Sequence, residues 1–136
     1  MNNKNKVILI LFCLLSKAAV FSQTSKAYIT NYAENFISVI DIQKNQKIAD
    51  IITGNKPHGV AVSPDGNWIA VSNEGDNTVS IINAADNKVK QTISVGKAPH
   101  QLSFSRDGKY ILTAINGEHK VNVISHRMFL YPVRPR

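Results

Sequence analysis

The chain has 136 residues, 18% of them charged, a formal charge of +7 and one cysteine. That length holds one domain, and a lone cysteine rules out an internal disulfide and a thiolate zinc cluster. The lysines of the predicted turns (Lys44, Lys47, Lys56, Lys88, Lys97, Lys109) stand singly and not on one face, which excludes a nucleic-acid footprint and suits a surface that resists strand-edge pairing.

The first segment in chain order is MNNKNK, with two lysines and no acid, followed by VILILFCLL and then a small-residue stretch, Ser16 to Gln23. Val20 and Ser22 stand where a signal peptidase requires small residues. The layout predicts a secretory signal peptide over 1–22. Its apolar run is shorter than the roughly 20 residues a membrane span needs, so no stable span is expected after cleavage. Cys13 lies within this segment, and Phe12 before it is not the small residue of a lipoprotein site. The mature chain is therefore expected to lack cysteine, and with it thiol catalysis and C-x-x-C-H haem attachment. Loss of Lys4, Lys6 and Lys17 takes the formal charge from +7 to +4. The expected location is outside the cytoplasm: periplasm, cell surface or medium.

From residue 27 the chain repeats itself. Residues 27–68 align with 69–110 without a gap, a period of 42. Identical pairs include Asn31/Asn73, Ser38/Ser80, Ile40/Ile82, Gly54/Gly96, Pro57/Pro99, His58/His100, Asp65/Asp107 and Gly66/Gly108. A third copy begins at Ile111 and runs through Val121, Val123 and Ile124. Within the second copy, HGVAVS (58–63), WIAVSN (68–73), TVSIIN (78–83) and KVKQTISV (88–95) read as short strands rich in Val, Ile and Thr. Ser63-Pro64-Asp65-Gly66 suits a type I turn closed by a glycine at positive φ. Glu74-Gly75-Asp76-Asn77 and Ala85-Asp86-Asn87 supply the next reversals. Connections this short force antiparallel neighbours.

Each period is thus expected to form a four-stranded up-and-down sheet. Val60 and Val62 point one way, Val79 and Ile81 form another apolar row, and Ile82 lies on the face opposite Ile81. One sheet cannot cover two apolar faces by itself. Stacking against sheets of the same kind does, and four strands at this period predict an all-β fold of β-propeller blades.

Tyr28-Ile29-Thr30-Asn31, the following Ser38-Val39-Ile40-Asp41, and Pro57-His58-Gly59-Val60-Ala61-Val62-Ser63-Pro64-Asp65-Gly66 resemble the YVTN β-propeller repeat. The resemblance covers residues 27 to about 125. The copies decay along the chain: YITN becomes Ala70-Val71-Ser72-Asn73 and then Leu112-Thr113-Ala114-Ile115. The resemblance implies an exported bacterial or archaeal protein. The family includes surface-layer antigens and relatives of the propeller in cytochrome-type nitrite reductases.

Pro57-His58 and Pro99-His100 open the first strand of their blades, the strand nearest a propeller's central channel. His58 and His100 are the candidate ligand-binding residues, expected to come from adjacent blades and face one funnel mouth. There imidazole could ligate a metal or haem, or move a proton, because it titrates near neutral pH. The competing expectation is that each ring fixes its loop by hydrogen bonding to backbone, since a blade-building residue recurs while a catalyst normally appears once. The same recurrence makes Asp65 and Asp107 turn formers, and Asn31 and Asn73 caps of strand ends. No catalytic residue and no metal ligand set is assigned, and no cofactor is expected. No P-loop, G-x-S-x-G or H-E-x-x-H motif is present.

The strands count three, then four, then three, about two and a half blades of an incomplete ring. The repeats are placed at 23–125 and an atypical tail, HRMFLYPVRPR, at 126–136. Three accounts fit: a truncated or frameshifted product of a longer gene, self-association through exposed blade faces, or an open arc. The leading functional expectation is a non-enzymatic exported binding or scaffold module recognising an unknown ligand or protein partner. The alternative is a haem- or metal-dependent oxidoreductase domain, or a propeller hydrolase, with the two histidines in the funnel.

Overall fold

The computed structural model describes residues 25–125; the predicted signal peptide and the 126–136 tail lie outside them. Alternating Val/Ile and small polar residues, punctuated by Asp, Asn and Gly, form ten strands. They are β1 (Lys26–Thr30), β2 (Phe36–Asp41), β3 (Gln46–Ile52), β4 (Pro57–Val62), β5 (Trp68–Asn73), β6 (Thr78–Asn83), β7 (Lys88–Ser94), β8 (Pro99–Phe104), β9 (Tyr110–Ile115) and β10 (Lys120–Ser125). A 3-10 turn, Asn116–Glu118, joins the last two. Three antiparallel sheets result: β1-β2-β3, β4-β5-β6-β7 and β8-β9-β10. The expected three–four–three division and the all-β class are what the structure holds. β4 lies against β8 and β3 against β7, so the sheets stack as blades with β4 and β8 on the inner side.

The copies agree in their irregularities as well as their strands. The register shifts between Val39/Ile40 and again between Ile81/Ile82, one period later. It shifts between Pro57/Val60 and again between Pro99/Leu102. The tight turns recur too. Ser63 Oγ donates to Asp65 Oδ1 (2.5 Å) and accepts from the Trp68 N–H (2.9 Å). Ser105 repeats this with Asp107 (2.7 Å) and Tyr110 (3.0 Å). Gly66 (φ 73°) and Gly108 (φ 71°) close the two turns in the left-handed region that other residues enter only with strain. Asn31 and Asn73 close their hairpins as expected: Asn31 Nδ2 donates to Ser38 Oγ (3.1 Å) and Asn73 Nδ2 to Ser80 Oγ (2.9 Å).

These turns carry a pH dependence. Hydrogen bonds from Ser63 and then the Asn67 N–H hold the Asp65 carboxyl below its ordinary value, and Ser105 with the Lys109 N–H does the same for Asp107. The folded chain therefore binds these protons more weakly than the unfolded chain, so their contribution is present above the ordinary carboxylate pKa and is lost as pH falls below it. The thermal midpoint is expected to stay level near neutrality and to drop below about pH 4. The slope should be shallow, because exposed groups are screened, and flatter in an Asp65→Asn, Asp107→Asn variant. A melting series between neutral and acid pH checks this.

Two apolar layers hold the blades together. Ile37, Val39, Ile51, Ile69, Val71 and Ile82 fill the space between the first and second sheets. Ala70, Val79, Ile81, Leu102, Ile111 and Ile124 are among those filling the space between the second and third. Ile81 and Ile82 are consecutive, both 0% exposed, and belong to different layers. That is the two-faced burial that stacked blades demand.

One expectation needs correcting. Val60 packs into the first layer, but Val62, expected on the same buried face, is exposed. Among the described residues the first sheet begins at β1, the counterpart of β5, and so offers no counterpart of β4 to cover it. The outer faces of the arc are likewise open: Ile29 and Ile52 on the first sheet, Leu112, Val121 and Val123 on the third. These are the faces through which self-association was expected.

Candidate functional site

A short lead-in loop precedes each Pro-His pair, and an acidic residue of the next hairpin fixes each loop. Asp76 accepts from the Asn55 N–H and from Asn55 Nδ2, both at 2.8 Å. One period later Glu118 Oε1 accepts from the Lys97 N–H at 2.6 Å. Lys56 (φ 51°) and Ala98 (φ 54°) then turn the chain through the left-handed region into β4 and β8. Pro57 and Pro99 are buried at the start of those strands.

A bulge follows at once. Pro57 pairs with Asn73 and Val60 with Val71, so His58 and Gly59 together oppose Ser72. Such a two-against-one step bends a strand and re-aims its side chains. Ser72 Oγ accepts from the Gly59 N–H (2.8 Å) and donates to the His100 carbonyl of the next blade. The counterpart of Ser72 in the first blade, Thr30, donates to the His58 carbonyl at 3.1 Å. Backbone carbonyls, not imidazole rings, therefore latch neighbouring blades together. Of the loop-fixing hydrogen bonds expected of each ring, the one from Nδ1 of His58 is not made: that nitrogen is buried without a hydrogen-bond partner.

The latches bring the two candidate residues into contact. The rings of His58 and His100 lie 3.5 Å apart between centroids, tilted by 34°. Tyr32 stands edge-on to His58, with centroids 5.6 Å apart at 87°. Its hydroxyl donates to Glu74 Oε1 at 3.2 Å, and that bond to a carboxylate pushes the Tyr32 phenol pKa upward. The Lys56 ammonium lies over the Tyr32 ring, 5.9 Å from its centroid. One nitrogen from each histidine and one Glu74 carboxylate oxygen all fall within 4.8 Å of one another. All three residues are half-buried. The first blade supplies Tyr32, the second His58 and Glu74, the third His100.

The histidines were legible in the sequence; Glu74 and Tyr32 were not. Both occupy one repeat position, which reads Tyr32, Glu74 and Asn116 in successive copies. Variation at a single position of an otherwise faithful repeat was the available signal. His119, by contrast, ends the 3-10 turn in a left-handed conformation, exposed and outside this cluster. Chemically, the cluster offers imidazole nitrogen and carboxylate oxygen to one ligand, beside a phenol and an ammonium.

The sequence matches the family described as YNCE-like beta-propeller over residues 10–128. Among curated proteins nothing matches the chain. Among solved structures, hydrazine synthase of Kuenenia stuttgartiensis is similar, at 24% identity and a TM-score of 0.74 over 77% of this chain and 30% of that one. The dihydro-heme d1 dehydrogenase NirN, in complex with DHE, is similar at 19% identity and a TM-score of 0.66, over 78% of this chain and 23% of that one. A functionally unknown protein from Desulfotomaculum acetoxidans is similar at 20% identity and a TM-score of 0.65, over 75% and 34%. The chain thus spans about a third or less of these proteins' lengths, and at these identities the likeness is one of fold.

Proposed function

Because the chain belongs to the YNCE-like β-propeller family, we propose that it is an exported recognition module of YVTN-type blades that binds a ligand at the end of the arc carrying His58 and His100. The observation that carries this reading is the pairing of two imidazoles from adjacent blades, one with a buried, unpartnered nitrogen. Thr53, Asn73 and Asn87 also bury a side-chain oxygen without a partner; the nitrogen of His58 differs in lying within a cluster of groups able to hold a ligand. The hydrogen-bonded blade latches are made by Thr30, Ser72 and backbone, without the imidazole nitrogens. Export is supported by the basic, apolar and small-residue order of 1–22.

A haem-dependent propeller is the reading to be separated from this one, since a neighbour of similar fold is a dihydro-heme d1 dehydrogenase. The protein purified from an exporting host is expected to begin near Gln23 and to show no Soret band. A Soret band in the protein as purified, lost in a His58→Ala, His100→Ala variant, would overturn the recognition reading in favour of an oxidoreductase module.

A further inference from the structure

We propose that His58, His100 and Glu74 bind a divalent transition-metal ion of the zinc, copper or nickel class; this rests on the recognition reading and names its ligand. The ligand atoms already lie within 4.8 Å of one another. Zinc bonds of about 2.0–2.2 Å to nitrogen and oxygen place ligand atoms roughly 3.3 Å apart in a tetrahedral site. To meet that spacing the two rings would turn out of their stacked contact, 3.5 Å between centroids, until their in-plane lone pairs converge.

The surroundings are those of a metal site. The Tyr32 hydroxyl donates to Glu74 Oε1, a second partner of the kind that orients a ligating carboxylate. Tyr32 also holds the His58 ring by an edge contact. The His58 and His100 carbonyls are tied to neighbouring blades, so the backbones that carry the rings are set before an ion arrives, as preorganisation requires. An ion bound at Nδ1 of His58 would satisfy the nitrogen that lacks a partner. Among the described residues, Glu74, Tyr32 and Lys56 are charged or titratable groups beside the histidines; the Lys56 ammonium is drawn onto the Tyr32 ring.

Chemistry narrows the ion. Two imidazoles and one carboxylate suit zinc, copper or nickel, and copper should bind more tightly than zinc. Calcium and magnesium prefer all-oxygen ligation. Glu74 is the element a blade-building explanation does not supply. The histidines recur with the repeat, whereas the Glu74 position reads Tyr32 and Asn116 in the other copies. The carboxylate therefore stands only where two Pro-His blades meet.

The test is titration of the purified, chelator-treated chain with zinc chloride by calorimetry, and with cobalt chloride by visible absorption. One ion per chain is expected. Tyr32→Phe should weaken binding by about tenfold, within the range for loss of a supporting-shell partner, and His58→Ala and His100→Ala, which remove a ligand outright, by at least about a hundredfold each. His119→Ala should change nothing. Folding of each variant is checked by circular dichroism. Should the histidine variants not fold, Tyr32→Phe and Glu74→Gln, together with zinc-induced shifts of the wild-type histidine ring resonances, decide the matter. Absence of zinc and cobalt binding by the folded chain overturns the proposal, as does one-equivalent binding that survives both histidine changes or unmoved ring resonances. Failure of this kind, without a Soret band, leaves the recognition reading standing; a Soret band removes that reading whatever zinc does.

Discussion

Gly59→Ala is expected to destabilise the chain by about 3 kcal/mol, the upper part of the usual overpacking range. A Cβ at Gly59 would lie 2.5 Å from the His100 carbonyl oxygen, 3.0 Å from Ser72 Oγ and 3.2 Å from the Gln101 Cα. Two of these are backbone atoms of β8, so no side chain can simply swing away. The methyl would push β8 off β4, break the Ser72 latch to His100 and separate the two histidine rings. Chemical denaturation measures the loss, and weakened zinc binding should accompany it. The control comes from the repeat itself. Gln101 is the counterpart of Gly59 and is exposed, so Gln101→Ala should stay within about 0.5 kcal/mol of the parent. Equal effects at the two positions would show that the close approach of β4 and β8 is not what holds the third blade.

The second large effect is expected at Ile81 and Ile82. Each is fully buried, and truncation of such an isoleucine to alanine costs about 2–5 kcal/mol, from lost burial and from the cavity left behind. Their totals should be similar while their locations differ. Ile81 belongs to the layer shared with the third sheet and Ile82 to the layer shared with the first. Hydrogen exchange reads out such regional losses. Ile81→Ala should lower amide protection chiefly in β8–β10, and Ile82→Ala chiefly in β1–β3. A uniform loss in both variants would mean that the three sheets unfold as one unit, and the blade description of stability would be wrong.

Most of the fold was legible because its signals are local. The 42-residue period, the Val/Ile alternation and the Ser-x-Asp-Gly turns each act over a few residues. Repetition then showed that the elements are stacked units. The candidate site was legible in part. His58 and His100 stood out by recurrence, and recurrence also argued for loop fixation by the rings, to which Nδ1 of His58 contributes no hydrogen bond. Thr30 and Ser72 carry the latch instead. They could not be read as a pair because the decaying YITN motif replaces one hydroxyl residue by another, and in the third copy by Ala114, which is exposed.

By itself the sequence determined where each residue sits within its own blade: which strand, which face, which turn. A side chain's period along a strand and a turn's need for Asp or Gly are properties of neighbouring residues. Only the tertiary structure decided what an adjacent blade sets against that residue. It put Glu74 beside two histidines, denied Nδ1 of His58 a partner and required a glycine at 59 but not at 101. A repeat position carries no record of the neighbour's side chains, and the chemistry of this chain lies in the seams between blades.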